Sequence, residues 1–250
     1  MLRDFSKEEF DIIIQAGQSN AEGCGLGDAE KPYATNSKIW YLDNDFSISK
    51  AQERISGNFI VGDFSLSFAS KYRKDGNLED GRKILIIRAA IGGTGFLDNH
   101  WKPTDDLYLR MMEMIKTALE LNPKNKLVAF LWHQGETDAT FNSDYQTYFN
   151  NLTTLVNNVR VAFKSNNLPF IAGDFVQHWK MENIKICEPV VSAMKEVCLT
   201  IGNAEFVETN ELLSNDQKIG NKDNIHFCRE SLYQLGLKYY DAYKRIASLK

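Results

Sequence analysis

Five apolar, β-rich runs punctuate the chain: residues 11–16, Ile39–Leu42, 83–88, 127–132 and 169–173. Their near-continuous apolarity, in place of the strict alternation of a half-exposed strand, is what strands covered on both faces require. Between these runs, apolar residues recur at helical spacing. Phe64, Leu66, Phe68, Ala69 and Tyr72 predict one helix, and Met111, Met114, Ile115, Ala118 and Leu119 predict another over 107–121. A third is predicted over 145–163, where Tyr148, Leu152, Leu155, Val156 and Val159 share a face and Ser143-Asp144 offers a start. Segments 184–199 and 229–249 complete the helices. Residues 43–60 are polar and irregular and read as a surface excursion with a short hairpin.

Strands alternating with helices specify an α/β fold. The expected architecture is a three-layer α/β/α sandwich around a central five-stranded parallel sheet with right-handed crossovers. At 250 residues the whole chain, 1–250, fits one such domain, large enough to bury a core without disulfides or metal.

Composition narrows the partners. With 43% hydrophobic residues, 25% charged residues and five prolines, the chain is not a disordered polymer. A net charge of -4 gives no footprint for nucleic acid or an anionic membrane, and points to a neutral or weakly charged small ligand. The charged start, Met1 to Glu9, lacks the apolar stretch of a secretory signal, and no run approaches the roughly 18 apolar residues of a membrane span. The chain therefore reads as cytoplasmic. Cys24, Cys187, Cys198 and Cys228 have no CxxC spacing, so they read as free thiols rather than as a zinc or redox motif. Cys24 follows Ser19, and Cys228 follows His226, closely enough that the two become neighbours if those residues meet.

The candidate chemistry lies at strand ends. Gly17-Gln18-Ser19-Asn20 follows the first strand, Ile91-Gly92-Gly93-Thr94-Gly95 follows the strand ending near Ala90, and Gln134-Gly135-Glu136 follows the strand ending at Trp132. In a parallel sheet these positions share one rim, the rim at which ligands bind. Ser19 taken alone would more often be a helix cap after a strand than a nucleophile. A serine hydroxyl attacks only when a base takes its proton and fixed donors hold the resulting oxyanion. His226 is the candidate base, and Asp223, three residues earlier, can fold back to its Nδ1 and fix the tautomer. The candidate oxyanion donors are the amides of Ser19 and Gly93, with Gly92 as the alternative one residue away, and the side-chain amide of Gln134.

The remaining polar and aromatic residues at this rim are candidates for contact with substrate or for support of the reacting groups: Gln18, Asn20, Gly92, Thr94, Trp101, Glu136 and His178. Glu136 reads as a residue that holds neighbouring loops, since one base suffices. His133 alternates away from Gln134 and reads as a core histidine. His178, after the fifth strand, either reaches the rim or packs its own loop. Trp40, Trp101 and Trp179 have faces that suit a pyranose, and Trp101 is the foremost because it comes after the Gly-Gly-Thr turn. That turn lacks the lysine and the spacing of a nucleotide-binding loop.

Together these motifs resemble the sialate O-acetylesterase and carbohydrate esterase family 6 group of the SGNH hydrolases. Gly17-Gln18-Ser19-Asn20, Gly92-Gly93-Thr94 with Trp101, Gln134-Gly135-Glu136-Thr137-Asp138 and Asp223-x-x-His226 occur in the same order and approximate spacing, over residues 11 to about 230. The pairing of the first motif with the third is specific where either alone is not. The resemblance implies a flavodoxin-like SGNH fold, with Ser19 as nucleophile, His226 as base, Asp223 as orienting acid, and Ser19, Gly93 and Gln134 as the oxyanion hole. Glutamine replaces the wider superfamily's asparagine as third donor, and Gly-Gln-Ser-Asn its Gly-Asp-Ser, as in the carbohydrate esterase branch.

The activity that the resemblance implies is that of an acetylesterase acting on a carbohydrate, an acetylated xylo-oligosaccharide in the first instance as for an acetylxylan esterase, with no metal or organic cofactor. The open alternatives are a promiscuous short-chain carboxylesterase, a sialate O-acetylesterase, a non-catalytic carbohydrate-binding relative and a nucleotide binder.

Overall fold

The computed structural model describes residues 4–28, 33 and 36–248. Met1, Leu2 and Arg3 of the charged start, and Leu249 of the expected last helix, lie outside the described residues. The strands in chain order are β1 (Phe10–Gly17), β2 (Gly25–Asp28), β3 (Ile39–Leu42), β4 (Ile48–Lys50), β5 (Arg54–Ser56), β6 (Phe59–Gly62), β7 (Lys83–Ala90), β8 (Lys126–His133), β9 (Phe170–Gly173) and β10 (Ala204–Val207). The helices are α1 (Ser19–Glu22), α2 (Ser65–Lys74), α3 (Asp106–Glu120), α4 (Glu136–Thr140), α5 (Tyr145–Ala162), α6 (Gln177–Glu182), α7 (Ile184–Thr200), α8 (Asn215–Ile219) and α9 (Arg229–Ser248).

The strands form a mixed seven-stranded sheet ordered β10-β9-β8-β1-β7-β3-β4, and a small antiparallel sheet ordered β2-β6-β5. Within the large sheet β7-β1-β8-β9-β10 are all parallel and carry the 2-1-3-4-5 order of a flavodoxin-like core. The α/β sandwich expected from the sequence is thus present, with one exchange of membership. The run Ile39–Leu42 is an added parallel strand outside β7, and β4 closes that edge antiparallel to it. The fifth strand of the core is β10, whose Ala204, Glu205 and Phe206 are only half-buried at the sheet's other edge. The excursion 43–60 supplies β4 and a hairpin, β5 and β6, as its pattern predicts.

Alternation along β8 displays the two outer layers. Trp132 faces α5, its Nε1 donating to Tyr148 Oη at 3.4 Å, whereas His133 faces α9, its Nδ1 3.0 Å from Tyr239 Oη. Helices α2 and α9 pack together on the His133 side, where Phe64 meets Tyr239 and Phe68 meets Tyr240. Helices α3, α5 and α7 cover the other face. The buried side chains of both layers join in one continuous core.

β1 is buried along its whole length. Of its two internal polar residues, Asp11 accepts from Arg82 Nε at 2.6 Å and from Tyr72 Oη at 2.8 Å, and Gln15 donates to the Ala21 carbonyl while its Oε1 finds no partner among the described residues. Its register with β7 and β8 levels Gly17 with Ala90 and with His133. The three motif-bearing loops therefore leave the sheet at the same height.

Candidate active site

Gly17 ends β1 with φ +135, and a Cβ there would lie 2.0 Å from the His133 carbonyl oxygen, so only glycine lets β1 and β8 stay paired to this point. Gln18 then donates its amide to that carbonyl at 3.0 Å, and Ser19 begins the single turn α1. The strand-to-turn junction presents the Ser19 hydroxyl at the rim while leaving the residue only 7% exposed.

The opposite half comes from the loop before α9. His226 Nε2 is 2.9 Å from Ser19 Oγ, and His226 Nδ1 is 2.9 and 3.0 Å from the two oxygens of Asp223. Asp223 Oδ2 also accepts from Asn215 Nδ2 at 2.9 Å. Partial burial pushes the Asp223 carboxyl upward, but the hydrogen bonds from His226 and Asn215 outweigh it and the net shift is below the ordinary value. The first turn of α8 grips the same loop, Asn215 donating its amide to the His226 carbonyl and Asp216 to the Asp223 carbonyl, both at 2.8 Å. Serine, histidine and aspartate thus form one hydrogen-bonded chain in which a proton can pass from Oγ to an imidazole whose positive charge faces a carboxylate.

Asn20 ties the two halves together. Its Oδ1 accepts from the Phe227 amide at 3.1 Å, and its Nδ2 donates to the Ile225 carbonyl at 3.1 Å and to Glu136 Oε1 at 2.9 Å. Glu136 is buried, which raises its carboxyl above the ordinary range. Through Asn20 it joins the start of α4 to the Ser19 turn and the His226 loop. Gln18 reaches the other way: its Oε1 accepts from the Thr137 amide at 3.1 Å and bridges β1 to the start of α4.

Ser19, Gly92 and Gly93 line an open cleft of about 380 Å³ together with Glu22, Cys24, Thr137, Ile225 and His226. Among the described residues, neither the Ser19 nor the Gly93 amide has a protein acceptor, whereas the Gly92 amide is taken by Glu22 Oε2 at 2.8 Å. Gly93 rather than Gly92 is therefore the free donor in the turn. Its glycine requirement is one of conformation, φ +71, with open space where a Cβ would project. Gly92 is the residue at close quarters, its Cβ position 3.4 Å from Ser19 Cβ.

The structure corrects the assignment of Gln134. Its side chain is fully buried, does not line the cleft, and aims its amide at Asp138 Oδ2 at 2.7 Å, Gln18 Oε1 at 3.2 Å and the Thr94 carbonyl at 3.2 Å. Tyr148 Oη donates to its side-chain carbonyl oxygen at 2.9 Å. Three acceptors compete for two N–H groups, leaving none for an oxyanion in this arrangement.

Trp101 is corrected as well. It is fully buried against Trp132, with ring centroids 5.2 Å apart, and donates to Thr94 Oγ1 at 3.1 Å, while Thr94 donates to the Ile91 carbonyl at 2.7 Å. Both residues brace the Gly92–Gly93 turn from behind. Trp40 and Trp179 are buried too and offer no face to a sugar.

His178 is half-exposed on α6, outside the cleft, with Nε2 3.3 Å from Glu182 Oε1. Glu182 in turn accepts from Asn224 at 2.6 Å, so this pair touches only the back of the His226 loop. His133 is a core histidine, its pKa lowered to about 3 by burial. All four cysteines are free. Cys24 faces the cleft, but burial pushes its thiol up to about 11, which keeps it from competing with Ser19. Cys228 Sγ lies 3.2 Å from Ser231 Oγ.

Two residues of this site, Glu22 and Asn215, went unnoticed in the sequence, and Asp138 stands there only as the end of its motif, with no role of its own. Asp138 accepts from the Phe96 and Leu97 amides and so fastens the loop after β7 to α4. Asn215 had a legible signal, because Ser214-x-x-Gln217 is a capping box whose reciprocal bonds are both made. Among the described residues no helix is long and apolar enough to cross a membrane.

Residues 9–245 match the model of a family described as carbohydrate esterase, sialic acid-specific acetylesterase. The chain is 27% identical over 257 residues to an Arabidopsis thaliana protein named "Probable carbohydrate esterase At4g34215", covering 93% of this chain and 89% of that one. It is 28% identical over 127 residues to an Escherichia coli K12 protein named "Probable 9-O-acetyl-N-acetylneuraminic acid deacetylase", covering 41% of this chain and 39% of that one. Among solved structures, NanS superimposes with a TM-score of 0.81 at 18% identity, over 98% of this chain and 99% of that one.

Proposed function

Since the chain belongs to the carbohydrate esterase, sialic acid-specific acetylesterase family, and is therefore a carboxylic ester hydrolase, we propose that it removes O-acetyl groups from a sugar through an acyl-enzyme on Ser19. The observation that carries this reading is the 2.9 Å contact between His226 Nε2 and Ser19 Oγ, with Asp223 on the far side of the ring.

Ser19 Oγ attacks the ester carbonyl as His226 takes its proton. The oxyanion is held by the amides of Ser19 and Gly93, two cleft-lining donors with no protein acceptor among the described residues. His226 then passes the proton to the departing sugar hydroxyl. Water enters, loses a proton to His226 and releases acetate from Ser19. Asp223 keeps Nδ1 protonated throughout, so that Nε2 is always the atom that exchanges protons.

For the sugar, the family description and the name of the Escherichia coli relative favour an O-acetylated sialic acid over a xylo-oligosaccharide. The experiment is acetate release from 9-O-acetyl-N-acetylneuraminic acid, acetylated xylo-oligosaccharide and an aryl acetate, each with the native chain and with Ser19→Ala. The variant should retain the fold and lose turnover of all three. Activity near the native level in Ser19→Ala overturns the mechanism, and preference for the xylo-oligosaccharide overturns the sugar.

A further inference from the structure

Two atoms of the buried residues His133 and Glu136 have no hydrogen-bond partner among the described residues: Nε2 of the first and Oε2 of the second. His133 is fully buried, Glu136 is only 1% exposed at the wall of the cleft, and His133 Nε2 is 3.9 Å from Glu136 Oε1. The other side of the ring fixes the tautomer. Tyr239 donates its hydroxyl hydrogen to the Trp132 carbonyl at 2.8 Å, so toward His133 Nδ1, at 3.0 Å, its oxygen is an acceptor. Nδ1 therefore carries the ring hydrogen, and Nε2 is a bare acceptor turned toward Glu136.

Glu136 is short of donors for an anion. Asn20 Nδ2 serves Oε1 at 2.9 Å, the residue's own backbone amide adds a weaker interaction, and no lysine or arginine touches it. The other titratable groups around it do not supply a fixed positive charge. Asp174, beyond β9, is paired with Lys180; Cys187 on α7 and Tyr239 on α9 are neutral; His226 acts to lower the Glu136 carboxyl, but less than burial raises it. A carboxylate at this depth with so few donors costs several kcal/mol, of order the penalty for an unpaired buried ion.

We propose that His133 and Glu136 hold a single proton between them, carried on the Glu136 carboxyl and directed toward His133 Nε2, and that this neutral acid positions Asn20 and the His226 loop. No bond other than a hydrogen bond is made or broken. Oε1, the oxygen 3.9 Å from His133 Nε2, already accepts from Asn20, so the carboxyl O–H sits on the unpartnered Oε2, and a rotation of the carboxyl turns it toward the imidazole lone pair. Burial acts in the required direction on both partners, raising Glu136 and lowering His133 to about 3.

The inference rests on the esterase reading for its kinetic test but not for its spectroscopic one. A glutamine at 136 reproduces a neutral acid, one N–H toward His133 and one oxygen toward Asn20, whereas an alanine reproduces neither. Glu136→Ala should lose about a hundred-fold in kcat on an aryl acetate with KM little changed, as the Ser19–His226 geometry loosens. Glu136→Gln should restore most of that loss. In the infrared spectrum at neutral pH, Glu136→Gln should remove a protonated-carboxyl C=O band that the native chain shows. A folded Glu136→Gln as impaired as Glu136→Ala, or a spectrum with no such band to remove, overturns the proposal. If the native chain itself releases no acetate, the esterase reading falls, and the infrared band alone then decides the proton.

Discussion

Asp223 places both of its carboxylate oxygens within 3.0 Å of one nitrogen of His226, leaving the ring a single orientation in which Nε2 meets Ser19. Replacing the acid by its amide keeps the shape but lets an N–H₂ group face Nδ1, which favours the wrong tautomer. Asp223→Asn should reduce kcat on an aryl acetate by about 10³- to 10⁴-fold while leaving thermal stability near native. Asn215→Ala, which frees Asp223 Oδ2 without altering the acid, should cost far less, about ten-fold, through a looser ring. Equal losses in the two variants would show that placement of the loop, not the acid, matters.

Gln134 separates a structural brace from an oxyanion donor. Removing its side chain takes one hydrogen bond each from Asp138, Tyr148 and Gln18 in a dry interior, at about 0.5–1.5 kcal/mol per bond, although the Phe96 and Leu97 amides still serve Asp138 and the Thr137 amide still serves Gln18. Gln134→Ala should therefore lower the unfolding midpoint in urea, with any loss of activity tracking the loss of fold. A variant of native stability with turnover down about a hundred-fold or more would instead return Gln134 to the oxyanion hole.

Glu22 holds the turn that offers the Gly93 amide, through its 2.8 Å bond from the Gly92 amide. In Glu22→Ala the turn loses that anchor, and kcat on an aryl acetate should fall about ten-fold while KM stays nearly constant, because a donor misplaced at the oxyanion acts on the transition state. Unchanged kcat would mean that Thr94 and Trp101 fix the turn unaided.

The shared proton has a signature in stability as a function of pH. Unfolded, Glu136 titrates near 4.5 and His133 near 6.5, so between these values the unfolded pair carries one proton, on the histidine. Folded, the pair also carries one, on the carboxyl, and contributes no slope there. In Glu136→Gln the folded state carries no proton on His133 until about pH 3 while the unfolded histidine gains one below about 6.5. Stability of the variant should therefore fall with pH from about 6.5 downward, at up to about 1.4 kcal/mol per unit, whereas the native pair begins its loss only below about 4.5. Parallel native and variant curves between these limits, measured by urea unfolding, would contradict the pairing.

Strands with two covered faces announce themselves, which is why β1, β7, β8 and β9 are legible as apolar runs. Ile39–Leu42 is equally apolar but lies outside the five-strand core, between β7 and the edge strand β4, because apolarity reports burial and not position in the sheet. β10 is short, half-buried and carries Glu205, and nothing local distinguishes it from a loop. The Ser19, Asp223 and His226 positions are legible because their chemistry constrains residue type and strand-end placement together. Gln134 and Trp101 are not, because the number of acceptors around an amide and the depth of an indole depend on Asp138, Tyr148 and Trp132, which reach them through tertiary packing. The commitment of Glu22 to Gly92 likewise joins residues 70 positions apart with no pattern to mark them.

The hydrogen bond between Ser19 and His226 closes a span of 207 residues. A chain truncated anywhere between its two ends therefore cannot bring Ser19 and His226 together. Contacts of such long range form only after the intervening chain has paid its loop-closure entropy. Hydrolysis of a chromogenic acetate during refolding should consequently report the docking of the His226 loop against the Ser19 turn, and makes turnover a clock for a folding event that bulk secondary structure cannot resolve.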